Sequence, residues 1–123
     1  MTDAGIILVV DDEPLILELV SAILEELRHG VVAVGNSRDA LAVVRERTAE
    51  LRLLISDVTM PDMNGDELAD AVTELCEDLA VLLMSGQPGD RQLAEERANW
   101  EFIKKPFSVT DLLSKVEEML GAA

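Results

Sequence analysis

Five short apolar runs punctuate the chain: Ile6–Val10, Val31–Val34, Leu53–Ile55, Ala80–Met84 and the more polar Trp100–Lys104. They lack polar alternation and are rich in Val, Ile and Leu, as strands covered on both faces are. Between them, apolar residues recur at helical spacing. Ile16, Leu19, Val20, Ile23 and Leu27 share one face of a first helix, with Glu18, Glu25 and Glu26 elsewhere. Val109, Leu112, Val116 and Met119 or Leu120 do the same in the last. Pro14 suits a first helical position. Ser37, Asn64 (with Glu67 following) and Ser108 (with Asp111 following) are candidate caps for the second, third and fifth helices. Gln87-Pro88-Gly89-Asp90 reads as a loop, and the short, acidic fourth helix after it rests only on Leu93, Ala94 and Ala98. The pattern predicts an α/β domain of (βα)5 type, a parallel five-stranded sheet with helices on both faces.

Composition narrows the field. The chain has 123 residues, enough for one domain spanning 1–123 and too few for two ordinary ones. The single cysteine, Cys76, excludes an internal disulfide. A net charge of −15 repels nucleic acid and anionic membrane, so direct nucleic-acid binding is not expected. No apolar run approaches the ~18 residues of a membrane span. Ile6–Val10 lacks a basic start and is followed at once by Asp11, Asp12 and Glu13, unlike a signal peptide. A cytoplasmic location, where a lone thiol stays reduced, is the simplest expectation.

Ligands of such sheets bind beyond the carboxyl ends of the strands, near the point where strand order reverses. Strand one ends in Asp11-Asp12, strand three in Asp57, strand four in Ser85 and strand five in Lys104-Lys105-Pro106. Strand two ends in Gly35-Asn36 and offers nothing comparable. Three carboxylates, a hydroxyl and an ammonium should therefore meet at one edge. Carboxylates so close cannot all stay ionised unaided. A hard divalent cation such as Mg²⁺ relieves the repulsion and accepts carboxylate and phosphate oxygens together.

Val9-Val10-Asp11-Asp12-Glu13-Pro14, Ser56-Asp57-Val58-Thr59-Met60-Pro61-Asp62-Met63-Asn64-Gly65, Met84-Ser85-Gly86 and Phe102-Ile103-Lys104-Lys105-Pro106-Phe107 occur in one order and spacing across the chain. Together they resemble the receiver domain of two-component response regulators. The resemblance implies a doubly wound, flavodoxin-like sheet of order 2-1-3-4-5. It implies Mg²⁺ held by Asp12 directly, Asp11 largely through water, Asp57 and the Thr59 backbone carbonyl. It makes Asp57 the phosphoacceptor, Lys105 and Ser85 the groups that meet the phosphoryl oxygens, and Phe102 an aromatic switch. It also implies a cis peptide between Lys105 and Pro106, a histidine kinase or histidine phosphotransfer protein as donor, and a downstream protein partner. On this reading the chain is not an enzyme beyond its own phosphorylation and dephosphorylation. Arg97-Ala98-Asn99-Trp100-Glu101 replaces the Gly-Ala common before strand five. That shortened segment and Met84-Ser85-Gly86 look more like receivers of hybrid kinases than those of DNA-binding regulators.

Other readings compete. An Mg²⁺-dependent phosphatase with an aspartyl nucleophile wants a second Asp two places on, where Thr59 stands, and a cap for which there is no room. An FMN binder wants a Ser/Thr/Gly-rich first loop, where Asp11-Asp12-Glu13 stands. An unphosphorylated receiver-shaped scaffold is disfavoured because every expected site residue is present. His29, the only histidine, reads as a solvated residue at the end of the first helix. Cys76 reads as a packing residue late in the third, and Met60, Met63, Met84 and Met119 as loop or core residues.

Overall fold

In the computed structural model, which describes residues 5–95 and 97–121, strands and helices alternate along the whole chain. They are β1 (Ile6–Val10), α1 (Pro14–Leu24), β2 (Gly30–Val34), α2 (Ser37–Glu46), β3 (Leu51–Asp57), α3 (Gly65–Leu75), β4 (Ala80–Ser85), α4 (Arg91–Glu95), β5 (Trp100–Lys104) and α5 (Val109–Met119). Single 3₁₀ turns at Thr48–Glu50 and Pro88–Asp90 precede β3 and α4. The outermost residues of the 1–123 span, 1–4 and 122–123, lie outside the described residues. Every strand pairing is parallel, and the order is β2-β1-β3-β4-β5.

Alternation of side chains along each strand divides the core in two. Ile6, Leu8 and Val10 face a layer holding Ala40 and Val44 of α2, Leu68 and Val72 of α3 and Ala94 of α4. Ile7 and Val9 face α1 and α5, through Val20, Ile23, Leu24, Leu112 and Val116. β1, β3 and β4 are covered on both faces, which accounts for their unbroken apolar runs.

The helical stripes need adjustment. Leu19 was expected to face the core but is 44% exposed, because the buried arc of α1 runs through Ile16, Leu17, Val20, Ile23 and Leu24 and leaves Leu19 at its margin. α1 also stops at Leu24. Gly30 must pair with Ile6, so the chain leaves the helix early to re-enter the sheet. His29 therefore lies in the connection to β2 and not at the end of the first helix, where the sequence pattern places it. Val109 begins α5 exposed, and Ala98 is exposed beyond α4. Cys76 caps α3 just after its last turn and packs against the core, and the four methionines lie in or against the core as expected.

Capping is borne out at Pro14, Asn64 and Ser108 and corrected at α2. There Asn36 is the N-cap, accepting from the Asp39 N–H at 2.8 Å. The Ser37 hydroxyl instead donates to the Met63 carbonyl at 3.0 Å. The Asp62 carboxylate, from the loop after β3, accepts from the Ser37 and Arg38 N–H groups at 3.0 and 3.2 Å. The loop that follows Asp57 is thus tied to the start of α2 by donors a helix leaves unpaired. Asp62→Ala should cost about 1 kcal/mol, the usual cost of a lost cap. A urea midpoint equal to that of the parent would show that Asn36 alone suffices.

Candidate functional site: carboxylates at the carboxyl edge of the sheet

Strand order reverses between β1 and β3, so the crevice of the fold opens at their carboxyl ends. Register does the rest. Val10 pairs with Ser56, so Asp11 and Asp57 step off neighbouring strands side by side. Asp57 pairs with Met84 and Ser85 with Lys104, which places Lys105 one residue past the same edge. The Lys105 N–H donates to the Ser85 carbonyl at 2.8 Å, extending the ladder to the site. The peptide joining Lys105 to Pro106 is cis.

Asp11 is wholly buried, Asp57 nearly so, and Asp12 is exposed. One carboxylate oxygen of each lies within 4.8 Å of the others. The Lys105 ammonium bridges two of them, donating to Asp11 Oδ2 at 2.9 Å and Asp57 Oδ1 at 3.1 Å, with Glu13 farther off at 3.7 Å. The other Asp11 oxygen accepts from the Glu13 N–H at 2.9 Å. Burial raises the Asp57 carboxyl above the ordinary range, and the charges of Asp11 and Asp12 add to this while Lys105 opposes it. Burial alone would lower Lys105, but hydrogen bonds and charges from Asp11 and Asp57 outweigh it and leave the ammonium raised. The two shifts are consistent because one cation is shared: Lys105 has two buried partners, whereas Asp57 has part of a cation and two like charges.

The donor set suits a hard cation. Three carboxylates, one open to solvent, offer oxygen ligands of the kind Mg²⁺ takes. Thr59, two residues beyond Asp57, is exposed in the same loop. Close packing holds that loop down. The Gly65 N–H donates to the Val58 carbonyl at 2.7 Å, and a Cβ on Gly65 would overlap the Asp57 carbonyl oxygen. Sequence reasoning placed Asn64-Gly65 at a helix start but missed this contact, which needs the folded loop to see.

Ser85 stands at the edge, but its hydroxyl serves its own loop. It donates to Asp90 Oδ2 at 2.6 Å and accepts from the Gln87 N–H at 2.9 Å. Asp90 carried no sequence signal beyond lying in a Pro-Gly turn. Phe102 is buried in the core beneath the Arg91 guanidinium, 5.0 Å from the ring centroid.

A sequence profile of the response regulator receiver domain matches residues 7–117. The chain belongs to the response regulator receiver family. The receiver protein CpdR of Brucella abortus is 32% identical over 96% of this chain and 98% of its own. The DNA-binding transcriptional regulator NtrC of Azospirillum brasilense is 34% identical over 97% of this chain but only 25% of its own length. This chain spans about a fifth of the length of the first curated relatives it matches. Among solved structures, the beryllofluoride-activated NtrC4 receiver domain dimer superposes with a TM-score of 0.84 at 30% identity, covering 95% and 97% of the two chains. The receiver of the hybrid histidine kinase CckA superposes with a TM-score of 0.82 at 26% identity, covering 94% and 98%. The fold and the two-component function expected from the motifs are thus both found; aspartyl phosphorylation and Mg²⁺ are general to this family. No helix among the described residues is long and apolar enough to cross a membrane.

The charge arrangement of this receiver has measurable consequences. Lys105→Ala would leave Asp11 buried without a counter-charge, at a cost of about 3 kcal/mol. Urea denaturation in metal-free buffer should show that loss, and millimolar-range Mg²⁺ should recover most of it by binding the native state. A variant indifferent to Mg²⁺ would show that the carboxylates hold no cation. Asp57→Asn should melt above the parent in metal-free buffer at neutral pH. Because the Asp57 carboxyl is raised by folding, its ionised form opposes the fold, so the gap should close as pH falls through the raised value. A gap that widens on acidification would reverse the assignment.

Proposed function

We propose that Asp57 is the phosphoacceptor of this receiver, taking its phosphoryl group from a phosphohistidine of a histidine kinase or phosphotransfer protein. The placement of Asp57 carries the reading: a nearly buried carboxylate at the reversal point, 3.1 Å from an ammonium and grouped with two further carboxylates. Asp57 Oδ attacks phosphorus, the bond from phosphorus to the imidazole nitrogen breaks, and the imidazole leaves as the acyl phosphate forms. Asp11, Asp12, Asp57 and the Thr59 carbonyl would hold Mg²⁺, which would supply positive charge against the transferring oxygens. Lys105 then exchanges a carboxylate partner for a phosphoryl oxygen, which as a compact cation on a flexible stem it can do without moving its backbone. Ser85 gives its hydroxyl to another oxygen. Phe102, under Arg91, is the group through which β5 and α4 respond, altering a surface read by a downstream protein. On this reading the chain catalyses nothing beyond the gain and loss of its own phosphoryl group, and it works in the cytoplasm.

A protein donor is favoured over a small molecule by the flank of the site. Leu15 is 78% exposed on α1, and Ile16, Leu19, Pro106 and Phe107 line a groove that reaches Lys105. Exposed large apolar groups beside a polar pocket fit a docking protein surface.

Intact mass after incubation with acetyl phosphate and Mg²⁺ should show one added phosphoryl group, absent in Asp57→Asn. A phosphorylated Asp57→Asn would move the acceptor elsewhere. Leu15→Glu should slow transfer from a phosphohistidine protein by about tenfold, equivalent to ~1.4 kcal/mol, while leaving acetyl phosphate labelling unchanged. Equal slowing with both donors would place the defect in the site and not in docking.

A further inference from the structure

We infer that Asp90 is a positioning residue for the phosphoryl response, withholding the Ser85 hydroxyl proton until a phosphoryl group on Asp57 draws it away. The inference rests on Asp57 as acceptor and adds the group that sets how readily the modified site engages Ser85.

The argument is a count of protons. A serine hydroxyl has one hydrogen to donate. Here that hydrogen is committed to Asp90 Oδ2, at 2.6 Å, a short bond to a carboxylate of the stronger kind. Ser85 cannot serve a phosphoryl oxygen without giving up Asp90. Two anions therefore compete for one donor, and the occupancy of each state follows from the difference in their affinities for it.

The contact also closes a loop. The same hydroxyl oxygen accepts from the Gln87 N–H at 2.9 Å, and the Asp90 N–H donates to the Gln87 carbonyl at 3.0 Å. Residues 85 to 90 are thus fastened by one hydroxyl at one end and one carboxylate at the other. The segment has open space around its two glycines: a Cβ on Gly86 or Gly89 would meet nothing within 4 Å. Asp90 ends the 3₁₀ turn, and the next residue, Arg91, begins α4 with its guanidinium over Phe102. Release of Asp90 frees the first residue of α4 and the cation covering Phe102 together. The response would pass from Ser85 to α4 through this one carboxylate.

Beryllofluoride with saturating Mg²⁺ is the probe, followed by fluorine NMR of the bound species. Asp90→Ala should bind it about tenfold more tightly than the parent, a gain of ~1.4 kcal/mol. Asp90→Asn, which keeps the shape and a weaker neutral acceptor, should fall between. In a Ser85→Ala background the same Asp90→Ala change should alter affinity by less than about twofold, because no proton remains to compete for; such non-additivity is the mark of direct coupling. Equal affinity of parent and Asp90→Ala would overturn the inference. A tenfold gain that persists without the Ser85 hydroxyl would overturn it too, showing only removal of a negative charge. A parent that binds no beryllofluoride would remove Asp57 as acceptor first, an outcome separate from either.

Discussion

Among the described residues, Lys105 is the cation that pairs with the carboxylates at the carboxyl edge of the sheet, within 3.1 Å of both Asp11 and Asp57. Without it, two buried negative charges would face each other with a third nearby. Such charges are tolerated only when paired. The pairing is nevertheless incomplete, since one ammonium is divided between two partners and Asp57 remains harder to ionise than a free aspartate. That residual electrostatic tension leaves the site receptive to further positive charge.

The rest of the molecule keeps that arrangement in place. Parallel pairing of β1, β3, β4 and β5 brings four strand ends into line, and a register slip of one residue would turn Asp57 to the other face of the sheet. The two apolar layers resist such a slip because β1, β3 and β4 bury side chains on both faces. Around the edge, hydrogen bonds add to the buried Val58 and Met60 in securing the loop after β3. Asp62 reaches back to α2, and Gly65 lies so close to the Asp57 carbonyl that no side chain fits between them. The segment from Ser85 to Asp90 is closed by the Ser85 hydroxyl, the Asp90 carboxylate and the backbone hydrogen bond from Asp90 to Gln87. At the opposite end of β5, Arg97 pairs with both Asp70 oxygens and lies 4.5 Å from the Trp100 ring centroid, so β5 is anchored at its start.

Much of this was legible in the residues themselves. Unbroken Val, Ile and Leu runs identified buried parallel strands, and helical spacing identified the segments between them, because burial and backbone period are local properties of a sequence. Chemistry at the strand ends was legible for the same reason: once β1, β3, β4 and β5 are placed, Asp11, Asp12, Asp57, Ser85 and Lys105 must stand at one edge. What tertiary structure decided were the partners. Whether Leu19 faces the core depends on how α1 is rotated against the sheet and on what α5 leaves uncovered. Where α1 ends, and so where His29 lies, depends on the pairing of Gly30 with Ile6. That Asp62 caps a helix beginning 25 residues earlier, that Lys105 bridges Asp11 and Asp57, and that Asp90 holds the Ser85 proton are outcomes of chain crossings. No residue spacing encodes them, because a hydrogen bond is selected by which groups the packed chain brings within 3 Å, and packing is a property of the whole sequence at once.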